Sequence, residues 1–397
     1  MTAFLDALGL VCALGHGQAQ VARALFAGDC SGMQAQDGWV PGRRLPVGAV
    51  QGPLPELPLP GHHSRNNQLL YAAALQIEPA IRQAIERHGP QRIGVVLGTS
   101  TSGIAEASDG IARYLETGRF PDTYDYHQQA LGAPATFLAA WLQLEGPAYV
   151  QSTACTSSAR ALLSARRLLD LGLCDAVLCA GVDSLCGLTL NGFSALEAVS
   201  AQRCNPCSAN RDGINIGEGA AVFLMTRERL GDGPGIALLG AGASSDAFHI
   251  SAPEPSGKGA LQAMGKALDN AALAPGQIDY LNLHGTATVH NDAMESLAVH
   301  GLFGERLPCS SSKPMTGHTL GAAGALEAAF CWLALSAHNP QGLLPPHVWD
   351  GRRDPLLPAL NLVDGSQRLP LQGPRRLMSN SFAFGGNNVS LILGDIP

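Results

Sequence analysis

Apolar residues recur at helical spacing through SRNNQLLYAAALQIEPAIRQAIERHG, residues 64–89, and the run closes on Gly89 and Pro90, so a helix is expected there. The next segment, RIGVVLGTS (92–100), is short and apolar and ends in small turn-forming residues, as a buried strand does. Further on, AYVQSTACTSSARALLSARRLLDLG (148–172) runs strand, small-residue turn, helix, and CSSSKPMTGHTLGAAGALEAAFCWLAL (309–335) has the same order. GINIGEGAAVFLM (213–225) can likewise be laid against SFAFGGNNVSLIL (381–393), matching Ile216-Gly217 with Phe384-Gly385, and both read as glycine-turned hairpins. Two similarities in one order point to internal duplication. The expected organisation is therefore two related α/β halves, 1–235 and 236–397, divided near the Gly-rich GDGPG at 231–235. The small residues of 321–330 let other elements approach closely, so this stretch is expected between sheets. Residues 41–61, rich in Pro and Gly, read as an irregular surface excursion, and the N-terminal strand reads as short, with Asp6 inside it.

Composition narrows the class. With 46% hydrophobic and 14% charged residues in 397, the chain has the balance of a large folded interior. A net charge of −7 without like-charge runs gives no broad footprint for nucleic acid or anionic lipid. No basic residue precedes Arg23 and no apolar run reaches about 18 residues, so neither a signal peptide nor a membrane span is expected, and the expected location is the cytoplasm. Ten cysteines in such a chain are expected to be thiols. Cys204 and Cys207 form a C-x-x-C with no second ligand pair nearby, and loop packing is the expected role.

Cys155 stands out because it follows a strand-like segment and opens a helix, where unpaired N–H groups and the helix dipole favour thiolate. His284 and His318 each follow a strand-like segment at a turn. A cysteine with two histidines can bind zinc, but thiolate nucleophiles use the same residue types, and Lys313 adds a cation that zinc would not welcome. The glycines of SFAFGGNN permit a tight turn whose N–H groups can face an oxyanion. Nucleophilic acyl chemistry is the preferred reading.

Four blocks then carry a specific resemblance: Thr153-Ala154-Cys155-Thr156-Ser157, His284-Gly285-Thr286-Ala287-Thr288, Ser312-Lys313-Pro314-Met315-Thr316-Gly317-His318 and Asn380-Ser381-Phe382-Ala383-Phe384-Gly385-Gly386. In this order they resemble the β-ketoacyl-ACP synthases (ACP, acyl carrier protein) with a Cys-His-His centre. LGLVCALGHG, SANRDGINIGEGAA and GAGASSDAFHISAPEPSG extend the likeness over nearly the whole chain. The resemblance implies an α/β thiolase-like fold of five layers, αβαβα, built from two duplicated halves. It implies that Cys155 accepts an acyl group from the carrier as a thioester, and that His284 and His318 assist decarboxylation of malonyl-ACP. Lys313, together with Glu295, would support the histidines. The N–H groups of Cys155 and Phe384 would form the oxyanion hole, with Phe384 also the gate. Thr286, Thr288, Ile214 and Ser251 would contact substrate, and Arg65 would help dock the carrier. No metal or further cofactor is implied, since substrates ride on the carrier's phosphopantetheine. The implied partners are the carrier and a second ketosynthase-like chain, identical or a related chain-length-factor subunit.

Two departures bear on substrate. Asn387 replaces the usual threonine after Gly-Gly, and Ile214 stands where an aromatic usually follows Arg-Asp-Gly. These variants are similar to synthases of specialised pathways, including those making aryl polyenes. Ordinary fatty-acid elongation and a non-catalytic chain-length factor remain alternatives, although the latter loses the nucleophile that Cys155 supplies here.

Overall fold

The structure is a computed structural model and describes residues 2–231 and 235–396. Its main sheet carries, from one edge, Asn361–Leu362, Pro308–Ser310, Tyr280–Asn282, Arg376–Ala383, Asn387–Ile396, Gly235–Ser245, Ala3–Cys12, Gly219–Thr226, Ala176–Asp183, Ile93–Gly98 and Ala148–Gln151. Its two wings share one plan. Outward from Ala3–Cys12 the successive pairings run antiparallel, antiparallel, parallel, parallel. Outward from Gly235–Ser245 they run in the same sequence. The wings join at a short seam, where Ala3 faces Leu238 and Phe4 faces Ala237.

Helices Ser157–Asp170 and Ala323–Leu335 touch each other and strands of both wings, so they form a middle layer. Arg65–Leu75 and Ala133–Leu142 pack on strands of one wing, and Lys258–Ala271 on strands of the other. The result is the five-layer thiolase-like αβαβα fold. Middle-layer position explains the composition: every residue of Ala323–Leu335 except Trp332 is buried, and apart from Glu327 its buried side chains are small or apolar. Among the described residues, no helix is long and apolar enough to cross a membrane.

Several local expectations change. The helical segment is two helices, Arg65–Leu75 and Glu78–His88, because Pro79 starts a new first turn after Ile77. The first is capped by Ser64, whose side chain accepts from Asn67 N. Part of the expected excursion is ordered: Arg43–Gly48 pairs with Met33–Val40 in a separate ribbon. The N-terminal strand has ten residues and absorbs Asp6 at a bulge, where the carboxylate accepts from Thr226 Oγ1 and Leu230 N. Only the C-terminal glycine segment is a hairpin. Its counterpart reaches three different segments, with Ile214 bridging Val199, Ile216 bridging His318 and Gly217 bridging Gly48. The expected dividing stretch falls partly on 232–234, outside the described residues.

The start of helix Ser157–Asp170 lies directly on strand Ile93–Gly98, and a Cβ on Gly98 would sit 2.2 Å from Ser158 N. Gly98→Ala should therefore destabilise the fold by about 1–3 kcal/mol, the usual range for overpacking. Urea unfolding measures this, and an unchanged midpoint and slope would show that the helix start can yield.

Candidate active site

Cys155 sits in the elbow between strand Ala148–Gln151 and helix Ser157–Asp170. Ala154 takes a left-handed conformation, φ +51°, to make the bend. The elbow is stapled by its own hydroxyls: Ser157 Oγ donates to Ala154 O at 2.6 Å and accepts from Thr153 N at 2.9 Å. Cys155 thus lies two positions before the first helical residue, just ahead of the cap Thr156, instead of inside the helix.

His284 and His318 arrive from the other wing. His284 follows strand Tyr280–Asn282, and Glu295 fixes its backbone by accepting from His284 N at 2.8 Å and Gly285 N at 2.7 Å. His318 follows the short turn Lys313–Thr316, and its backbone is clamped between Asn215 and Gly217. The imidazoles lie 5.3 Å apart, nearly perpendicular. His318 Nε2 is 2.9 Å from Cys155 Sγ, and the ligand atoms of Cys155, His284 and His318 all fall within 4.8 Å of one another.

Lys313 is buried beneath them. Its ammonium donates to His284 O, to Glu327 Oε1 at 2.5 Å and toward His284 Nδ1 at 3.5 Å. An ammonium only donates, so His284 Nδ1 accepts and the ring proton lies on Nε2. His318 Nδ1 is buried without a hydrogen-bond partner, an arrangement tolerated better by a lone pair than by an N–H, so its proton is also assigned to Nε2. The direct partner of Lys313 is therefore Glu327. Glu295, expected beside Lys313 in support of the histidines, acts on His284 through its backbone and holds the loop. Burial raises its pKa to about 7, against the opposing hydrogen bonds from Gly285 and His284.

Burial and the nearby Lys313 hold both imidazoles well below the ordinary histidine range, with His318 adding to the effect on His284. Burial also raises Cys155 to about 12, outweighing the Lys313 charge and the N–H groups of Phe384 and Cys155 that reach the sulfur. This overturns the expectation of a resting thiolate: desolvation exceeds the help of the helix start. The site rests as a neutral thiol among neutral imidazoles.

A cavity of about 520 Å³ leads to this cluster, lined by Cys155, His284, His318, Phe384, Ile214 and Phe193 among others. Thr286 and Thr288 line it too, their hydroxyls 3.0 Å apart, and Ser251 stands with them. Arg65 lies elsewhere. Its Nε and Nη2 donate to buried Glu218 at 2.8 and 2.5 Å, while Glu218 also accepts from Val50 N and Leu185 N. A guanidinium committed to a buried carboxylate is a structural strut, which corrects its expected docking role. The C-x-x-C cysteines are buried, free thiols.

Sequence reading missed Glu327 and Phe193. Glu327 had a signal, being the lone charge in an otherwise uncharged buried helix. Phe193, whose ring lies 5.5 Å from that of Phe384, had none, since it is one apolar residue among many.

Fold and site together define a thiolase-type chain with a Cys-His-His centre. Family models described as Beta-ketoacyl synthase, N-terminal domain, and Beta-ketoacyl synthase, C-terminal domain, match residues 69–230 and 236–348. Nodulation protein E of Rhizobium meliloti is 31% identical over 351 residues, 84% of this chain and 85% of that one. The chain belongs to the β-ketoacyl synthase family. The mitochondrial 3-oxoacyl-(acyl-carrier-protein) synthase of Arabidopsis thaliana is 36% identical over 273 residues, 64% of this chain and 57% of its own length. Among solved structures, the ketosynthase ApeO in complex with its chain length factor ApeC from Xenorhabdus doucetiae matches at 47% identity and TM-score 0.92, covering 99% of this chain and 98% of that chain. A β-ketoacyl synthase from Burkholderia phymatum STM815 matches at 28% identity and TM-score 0.88, over 100% of both chains.

The neutral resting thiol has a direct consequence. Alkylation of Cys155 by iodoacetamide should keep rising with pH up to at least about pH 9, because thiolate accumulates only as pH approaches the raised pKa. Peptide mass spectrometry of Cys155 against pH measures this, and a plateau near neutrality would reveal a resting thiolate–imidazolium pair.

Proposed function

We propose that this chain is a β-ketoacyl-ACP synthase that condenses a Cys155-bound acyl group with malonyl-ACP, losing carbon dioxide. The observation that carries this reading is the convergence of one thiol, two imidazole N–H groups and two backbone N–H groups at the end of one cavity. In loading, Cys155 sulfur attacks the carrier thioester, and as the tetrahedral intermediate collapses the thiol proton passes to the departing pantetheine sulfur. The N–H groups of Cys155 and Phe384 stabilise the tetrahedral oxyanion. Malonyl-ACP then enters past Thr286, Thr288 and Ser251. Its carboxylate leaves as carbon dioxide, and the electrons pass to an enolate whose oxygen accepts from His284 and His318 Nε2. The enolate carbon attacks the acyl thioester and expels Cys155 sulfur, which takes a proton from water to restore the thiol.

These residues need no metal, and the Lys313 ammonium 3.5 Å from His284 Nδ1 makes a cation between the imidazoles unfavourable. We assign the Cys155 half to residues 1–235 and the His-Lys half to 236–397, and the expected cytoplasmic location stands with this reading. The partners are an acyl carrier protein and a second ketosynthase-like chain, homodimeric or a chain-length factor. Exposed Ile111, Tyr114, Leu115, Tyr126 and Leu131 support such pairing. The 47% identity to a ketosynthase–chain length factor structure favours a specialised polyene or polyketide pathway over housekeeping elongation.

Cys155→Ala should abolish the acyl adduct seen by intact-protein mass spectrometry after incubation with acyl-ACP, and a surviving adduct would sink the assignment. His284→Ala and His318→Ala should keep measurable loading yet lose condensation by at least about 100-fold, a usual scale for lost transition-state donors. Radiolabelled acyl and malonyl donors separate the two steps, and equal losses in both would point to a structural role.

Ile214→Phe should shift acyl-chain preference, since one methylene in an apolar pocket is worth about 1–3 kcal/mol. Specificity constants over saturated, unsaturated and aryl acyl-ACPs measure the shift. A uniform fall would remove Ile214 from the selective wall.

A further inference from the structure

Arg160 is placed at a cost. It is the fourth residue of helix Ser157–Asp170, in the turn where the helix dipole disfavours a cation. Among the described residues no carboxylate pairs with it, and its buried Nε has no hydrogen-bond partner. Burial and the neighbouring Arg167 lower its pKa. Its Nη2 reaches two neutral oxygens, Asn387 Oδ1 at 2.9 Å and Ser244 O at 3.5 Å.

Asn387 is the residue that departs from the family pattern, and it occupies a critical place. It pairs with Ala383 at the base of the hairpin whose turn is Phe384, Gly385 and Gly386. The two glycines have φ of +82° and +74°, so this turn has little steric restraint of its own. One flank is held by a loop: Gly385 N donates to Ile250 O at 2.8 Å, and Asp246 N donates to Gly386 O at 2.8 Å. Arg160 holds the other flank and reaches it from the helix that follows Cys155.

We propose that Arg160 is a positioning residue that, through Asn387, keeps the Phe384 N–H aligned with the Cys155 N–H, so that the nucleophile's own helix sets its oxyanion hole. The inference rests on the acyl-transfer reading above. A half-buried guanidinium spent on an amide oxygen adds little stability, whereas a displaced oxyanion donor directly slows acyl transfer.

The test is single-turnover acylation of Cys155 by hexanoyl-pantetheine, read by intact-protein mass spectrometry, for wild type, Arg160→Met, Asn387→Ala and the double variant. Iodoacetamide alkylation in parallel reports on the thiol without using the oxyanion hole. Each single variant should acylate about tenfold more slowly, less than the loss on deleting a donor outright. The double variant should be no slower than the slower single one, with alkylation unchanged. Asn387→Asp, which gives the guanidinium a charged partner, should keep the wild-type acylation rate. Additive losses, unchanged acylation or an equal loss of alkylation overturns the positioning role and leaves the acyl-transfer reading standing. Wild type that fails to acylate Cys155 overturns that reading and this inference with it.

Discussion

An ammonium group cut off from water must be surrounded by acceptors, and Lys313 imposes that demand on everything around it. Its partners come from separate places: the carbonyl and Nδ1 of His284, beyond strand Tyr280–Asn282, and Glu327, on the middle-layer helix. Meeting the demand fixes three elements at one point. It also fixes the tautomer of His284, because a donor on one side of the ring leaves the proton on the other. Replacing the pair with apolar residues would relieve the burial cost but release the ring.

The second constraint is that neither half holds the site alone. Cys155 belongs to the first half, and His284, Lys313, His318 and Glu327 to the second. Residues 215–217, from the first half, grip the His318 backbone through Asn215 O and Gly217 N. That accounts for a glycine segment that matches the C-terminal hairpin in sequence and not in structure. Its counterpart carries the Phe384 N–H on a hairpin turn, while this copy is drawn apart to brace the His318 backbone.

What could be read in the sequence was what depends on local pattern. The elbow at Cys155, the strand-end histidines and the duplicated order of elements all rest on small residues, apolar runs and glycines within a few positions of one another. The readings that failed depend on distant partners. Arg65 looks like a free surface cation until Glu218 is folded against it, and Glu327 is passed over because only the fold brings it from the middle layer to Lys313. The thiolate expectation failed for a related reason. A helix start can be seen in sequence, but the depth at which it is buried cannot.

Depth also explains how such a site can be reactive. With the thiol raised to about 12 and both imidazoles held neutral, the cluster at rest carries no charge on the atoms that face the cavity. Such atoms need little water, so an acyl chain can lie against them. In the proposed reaction negative charge appears only as the chemistry proceeds, first on the thioester oxygen and then on the enolate, and each time it appears beside N–H groups already in place. Donors fixed beforehand in a dry site avoid the reorganisation that water would require. The arrangement that makes Cys155 a poor thiolate at rest is thus the one that, in the proposed reaction, favours charge developing on the substrate, and under that proposal selection among acyl chains falls to the apolar wall of Ile214, Phe193 and Phe384.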